Sequence, residues 1–146
     1  MGRTYKKYPA ELHQVHQAAD GSIAVIGILY QYGHPDPLVA EIQPHLHLLA
    51  DKNCGDHAND EIFLGKFDNE LLRNWSRKYY RYPGSLTTPP CDEHVIWTVL
   101  TKVKTMSKEQ VASLRAPLCP INKDNARPVQ PLHGRKVQRY DGGIRD

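Results

Sequence analysis

The sequence predicts a mainly β protein with short helices, and three observations carry that expectation. The run "IAVIGILYQYG" is dense in β-branched and aromatic residues and follows the turn signal "AADGS". Two further strand-like runs, "YYRYPGSL" and "HVIWTVLTKV", flank a proline-rich bend. Helical spacing is confined to two segments, residues 37–51 and 107–115.

Taken in order, "ELHQVH", "ADGS" and "IAVIGILY" form a hairpin. Alternation along its first strand puts Glu11, His13 and Val15 on one face and Leu12, Gln14 and His16 on the other. "PLVAEIQPHLHLLAD" then spaces Leu38, Val39, Ile42, Leu46 and Leu49 as a helix does, with Pro44 weakening its middle. In "RKYYRY" a strand places Lys78, Tyr80 and Tyr82 opposite Arg77, Tyr79 and Arg81, an ordinary half-exposed strand rather than a base-stacking surface. "SKEQVASLR" is a second short helix, Ser107 capping it and Gln110 completing the capping box. "NKDNARPVQPLHGRKVQRY" is loop followed by a short strand.

At 146 residues the chain suits one domain, 1–146, with enough length to bury a core. Its net charge of +3 is scattered along the chain, which argues against a nucleic-acid partner. No apolar run reaches membrane-spanning length, and no basic-then-apolar signal peptide opens the sequence. "MGRTYK" starts like a myristoylation site but has Lys6 where Ser or Thr is required. Cys54, Cys91 and Cys119 are an odd count, so either one is free or one lacks its partner.

Three places have residues suited to chemistry. His13 and His16 would share a face on a helix but diverge on a strand, and the nine residues "YPAELHQVH" leave ligand and structural roles both open. His45 and His47 lie two apart in a helical segment, about 200° around the axis, and do not converge on one ion. Thr87 and Thr88 precede two prolines that hold the backbone extended. Their hydroxyls each accept one hydrogen bond while donating another, which suits orienting a small polar species. A purely structural loop fits the same residues.

The blocks "YPAELHQVH", "DGSIAVIGILYQYG", "SRKYYRYPGSLTTPPCDEHVIWTVL", "SKEQVASLR" and "NARPVQPLHGRKVQ" resemble, in order and spacing, the α-class carbonic anhydrases, above all their plant members. The resemblance covers nearly all of the chain from about Tyr8. It implies a partial α-carbonic-anhydrase fold, a large and mostly antiparallel twisted sheet lacking its N-terminal half. It implies Zn2+ as cofactor, CO2 and bicarbonate as substrates, and zinc-dependent reversible hydration as the reaction, a carbonate dehydratase lyase. By the same resemblance His13 matches a zinc-ligand histidine and Glu11 the carboxylate that accepts its ring N–H. Thr87 matches the threonine that accepts a hydrogen bond from zinc-bound hydroxide, and Thr88 its neighbour at the substrate site. Val15, Ile23, Val25, Leu86, Val95 and Trp97 match the apolar wall where CO2 rests, and Asn125 and Arg127 a structural loop.

The chain also departs from that pattern. The family's other two zinc histidines lie in an H-x-H strand upstream of "ELHxVH", and no such strand precedes His13 here. The glutamate that orients the threonine, the proton-shuttling histidine and the cysteine that pairs with the position of Cys91 are upstream features too. One histidine falls short of the three protein ligands a catalytic zinc takes. The chain is therefore expected to be truncated and inactive by itself, with exposed strand edges. The alternative is a catalytically dead carbonic-anhydrase-like binding or storage protein. The family suggests a secretory, extracellular or plastid location, and oligomeric state is not legible.

Overall fold

Alternation of apolar and polar residues decides which side of each strand is covered, and the fold follows from it. The computed structural model describes residues 6–50, 63, 65, 70 and 76–142. The amino-terminal "MGRTY", Asp51 at the end of the predicted first helix, and Cys54 lie outside the described residues. The chain forms two compact units, one drawn from residues 1–30, 75–104 and 127–146 and the other from 31–74 and 105–126.

The first unit is a mixed, mostly antiparallel sheet. Strands β1 (Ala10–Gln17) and β2 (Ile23–Tyr32) form the predicted hairpin, with His13 opposite Gly27 and Val15 opposite Val25. Its turn is closed locally: Asp20 Oδ1 accepts from the Ser22 N–H (2.9 Å) and hydroxyl (2.7 Å), and Gly21 takes a φ of 85° that favours glycine. β3 (Tyr79–Ser85), β4 (Glu93–Leu100) and a short β6 (Gln138–Tyr140) complete the order β1-β2-β4-β3-β6, and β5 (Lys104–Met106) pairs with β2 off this path. Along the path β2–β4 is parallel and the other three pairs are antiparallel. The predicted strand over 94–103 stops at Leu100, because Thr101 turns back and gives both its N–H (3.1 Å) and its hydroxyl (3.0 Å) to the Lys78 carbonyl.

One face of this sheet buries Val25, Val95 and Trp97, with Ile23, Tyr82, Leu86 and Val99 packed against them. On the other face Ile28, Tyr30 and Leu100 are buried, and the Lys104 ammonium lies 5.5 Å above the Tyr30 ring. β1 and β6 are the two ends of the strand order. Val15 on β1 and Val137 beside β6 are exposed apolar side chains, as expected of a sheet with open margins.

The second unit joins helix α1 (Pro37–Ala50) to helix α2 (Lys108–Arg115). Asp36 opens α1, its Oδ1 accepting from the Val39 N–H at 3.2 Å, and Pro37 needs no donor at the first helical position. Ser107 and Gln110 form the predicted capping box of α2. Gln110 does more than cap: its Oε1 accepts from the Asp36 N–H and its Nε2 donates to the Asp36 carbonyl, both at 2.8 Å. Leu38, Val39, Met106 and Val111 are the unit's buried apolar residues. Of the described cysteines, Cys119 is disulfide-bonded and Cys91 is a free thiol. Among the described residues no helix is long and apolar enough to cross a membrane.

Candidate metal and substrate site

The site is built on the face that carries Trp97. His13 reaches it from β1, its Nε2 lying 3.2 Å from Glu11 Oε1, two residues earlier on the same strand face. A carboxylate only accepts, so the neutral tautomer matched to this contact carries its proton on Nε2 and keeps the lone pair on Nδ1, where a cation could take it. The ring stands edge-on to Trp97, with centroids 4.8 Å apart and planes at 80°. Both side chains of the His13–Glu11 pair remain about one-third accessible (31% and 34%), so the imidazole is held and still reachable.

A glycine makes room for that pair. Gly27 lies opposite His13, and a Cβ added there would meet Glu11 Oε1 at 2.5 Å. The absence of a side chain at 27 is what lets the carboxylate lie beside the imidazole. Gly84 serves the indole in the same way, since a Cβ there would meet Trp97 Cδ1 at 2.8 Å. Trp97 is 4% exposed, and its Nε1–H donates to the Ser85 carbonyl at 2.9 Å. Tyr82 stacks on it with centroids 6.3 Å apart and planes at 6°. Burial, then the Glu11 charge, push the Tyr82 hydroxyl above its ordinary value, with Arg135 opposing.

The threonine loop leaves the same cluster directly. Leu86 packs on Val25, Val95 and Trp97, and Thr87 is the next residue. Two backbone hydrogen bonds close the loop, Leu86 N–H to the Asp92 carbonyl and Cys91 N–H to the Thr88 carbonyl, each 2.9 Å. The β3–β4 register slips between Gly84 and Ser85, and His94 takes a φ of 67° at that bulge. Arg127 ties the base of the loop, its Nη1 donating to Ser85 Oγ (2.8 Å) and to the Leu86 carbonyl (3.2 Å). Thr87 and Thr88 themselves are exposed.

Of the wall residues named from sequence, Ile23, Val25, Leu86, Val95 and Trp97 come together in one cluster. Val15 shares their face by its pairing with Val25 but is 60% exposed. His16 alternates to the opposite face, while His45 and His47 sit in α1. Gly27, Gly84 and Tyr82 were not read from sequence as shaping the site. The signal for the glycines was present, since a lone glycine inside a strand pattern marks close approach.

The donor set has a limit. Among the described residues no group of three His, Cys, Asp or Glu side chains is placed to hold a metal ion. His13 has the chemistry of one ligand, and the described residues do not close a zinc centre by themselves.

An open twisted sheet with an imidazole beside a carboxylate, an apolar cluster and a braced threonine loop defines the class of protein, and comparison with known proteins gives the family. Residues 4–141 match the eukaryotic-type carbonic anhydrase model. Alpha carbonic anhydrase 4 of Arabidopsis thaliana is 42% identical over 138 residues, covering 94% of this chain and 49% of that protein. A crystal structure of dioscorin complexed with ascorbate superposes with a TM-score of 0.84 at 34% identity, over 92% of this chain and 54% of that one. The α-carbonic anhydrase from Thermovibrio ammonificans, solved with the inhibitor sulfanilamide, gives a TM-score of 0.72 at 37% identity, over 89% and 53%. The chain belongs to the α-carbonic anhydrase family, whose members are generally zinc-dependent. It spans about half the length of the curated relatives it matches.

Proposed function

We propose that this chain carries the reactant-facing half of a carbonic anhydrase centre, the reaction being reversible hydration of CO2 to bicarbonate. The observation that supports it is the His13 ring, its Nε2 beside Glu11 and its edge on Trp97, next to the cluster from which Thr87 departs. A zinc ion held by a full set of three ligands supplies water that ionises near neutral pH. The residues of this chain do the remaining work. His13 offers Nδ1 as one ligand, and Glu11 fixes the tautomer that makes it one. Val25, Leu86, Val95 and Trp97 give a nonpolar substrate a surface that water wets poorly. The Thr87 hydroxyl, on a loop tied by Arg127, accepts from a hydroxide and so aims its lone pair at carbon.

A second reading is a catalytically silent binding or storage protein on the same fold. The dioscorin likeness supports it, and among the described residues no group of three candidate ligands is placed to hold a metal ion. Metal content separates the two. The refolded 146-residue chain is dialysed against zinc, assayed by elemental analysis, and tested for CO2 hydration. Well under one equivalent of zinc and background hydration are expected for this chain alone. A His13→Ala variant should lose what zinc is retained. One tightly held equivalent with hydration above background would overturn the expected inactivity. Retention of zinc unchanged by His13→Ala would remove His13 from the ligand role.

A further inference from the structure

The sheet has a second face, and its residues are arranged in a row. By register His16 pairs with Ala24, Ala24 with Ile96 and Ile96 with Pro83, so these four cross β1, β2, β4 and β3 in line. All alternate away from the His13 side. Two grooves flank this row and meet at Ile96, one of about 340 Å³ and one of about 240 Å³. Ile96 is half exposed on their common floor.

One end of the row is cationic. Arg81, Lys136 and Gln138 line the larger groove beside Ile96 and Pro83. Arg81 is fixed in place: its guanidinium lies 5.1 Å from the Tyr79 ring and 5.8 Å from the Tyr140 ring, and Nε donates to Thr98 Oγ1 at 3.2 Å. The two rings beneath it stack at 4.8 Å. These contacts hold the guanidinium still and leave its terminal N–H groups without an ion pair among the described residues. Lys136 likewise has no ion pair among the described residues. Gln138 accepts from the Tyr140 hydroxyl at 2.8 Å, which leaves its amide N–H groups to donate.

We propose that this face binds an elongated organic carboxylate, its head between Arg81 and Lys136 and its apolar tail along the row of Pro83, Ile96 and Ala24. Charge complementarity selects the occupant. A small polar anion would leave Ile96 in water, and a neutral tail would leave two cations without a counter-charge. Four strands span about 14 Å at the usual strand spacing, which suits a chain of about ten carbons. The site is separate from the chemistry at His13 and stands or falls without it.

The test is an NMR titration of the full 146-residue chain with decanoate, read at the Ile96 methyl groups. A saturable shift is expected, half-complete at or below about 1 mM. Acetate at the same concentrations should give none. Lys136→Gln, at an exposed position, and Arg81→Gln should each weaken binding about tenfold while the rest of the sheet spectrum is retained. Failure of decanoate to saturate would overturn the proposal, and so would equal binding of decyltrimethylammonium or an unchanged affinity in Lys136→Gln. Preference for decyl phosphate by tenfold or more would overturn the assignment of a carboxylate head. Ile96 shifts that depend on protein concentration without ligand would show a second copy of the chain on this face instead, and would also overturn it.

Discussion

Gly27→Ala separates the site from the stability of the sheet that carries it. A methyl group at 27 would stand 2.5 Å from Glu11 Oε1, 3.4 Å from Val99 Cγ2 and 3.6 Å from Glu11 Cδ. Only the first distance is forbidden, and it involves the end of a flexible, partly exposed side chain. The carboxylate therefore swings aside and the backbone stays. What is lost is one imidazole–carboxylate contact of 3.2 Å, with both partners about one-third exposed (31% and 34%). After solvent screening that contact contributes about 1 kcal/mol. Replacing glycine by alanine at an ordinary φ returns about 0.5–1 kcal/mol by restricting the unfolded chain.

The net change is therefore within about 1 kcal/mol of zero, and the urea midpoint should move by less than about 0.5 M at a slope near 2 kcal/mol/M. The imidazole responds differently. In the parent chain a proton on His13 Nε2, 3.2 Å from the carboxylate, should give a slowly exchanging resonance in nitrogen-edited NMR. In Gly27→Ala that resonance should broaden or vanish. Destabilisation beyond about 2 kcal/mol would mean that the sheet yielded and the carboxylate did not. A persistent Nε2–H signal would mean that Gly27 does not make room for Glu11. Either result refutes the reasoning.

The other glycine should behave in the opposite way. Gly84→Ala brings a methyl group 2.8 Å from Cδ1 of an indole that is 4% exposed and hydrogen-bonded, so overpacking should cost about 2–3 kcal/mol in urea unfolding. Gln110→Ala strips partners from the Asp36 N–H, the Asp36 carbonyl and the Ser107 N–H, and a loss of about 2–4 kcal/mol is expected in the same assay. Tyr82 has its hydroxyl raised above the ordinary tyrosine value, chiefly by burial, so the folded state keeps that proton longer than the unfolded state does. Its contribution is complete below pH ~10 and is lost as pH rises through the folded value, so thermal stability should fall in that alkaline range and fall less steeply in Tyr82→Phe.

Local rules made the elements legible. The hairpin could be read because "ADGS" sits between two alternating runs, and α2 because Ser107 and Gln110 satisfy each other's backbone neighbours within four residues. Which residues share the Trp97 face also followed from alternation, since a period of two leaves little freedom. What the sequence hid was contact across strands. Gly27 and Gly84 look alike in "VIGIL" and "YPGSL", yet one makes room for a movable carboxylate and the other for a fixed indole. Arg127 was readable only as part of a loop, 41 residues from the Leu86 carbonyl it holds. The state of the described cysteines was likewise not legible, Cys91 being a free thiol and Cys119 disulfide-bonded.

The indole ties the imidazole to the threonine loop. Its ring edge meets His13 while its N–H holds the Ser85 carbonyl, two residues before Thr87. Arg127 grips the same segment from the other side through Ser85 Oγ and the Leu86 carbonyl. A shift of Trp97 would therefore move the imidazole and the loop together, and catalysis by positioning depends on their separation to a fraction of an ångström. That makes Gly84 a determinant of the site without touching any reactant, because the indole lies flat only where residue 84 has no side chain. The two glycines thus act on different quantities. Gly27 makes room for the carboxylate beside the imidazole, and Gly84 makes room for the indole that lies against both the imidazole and the base of the threonine loop.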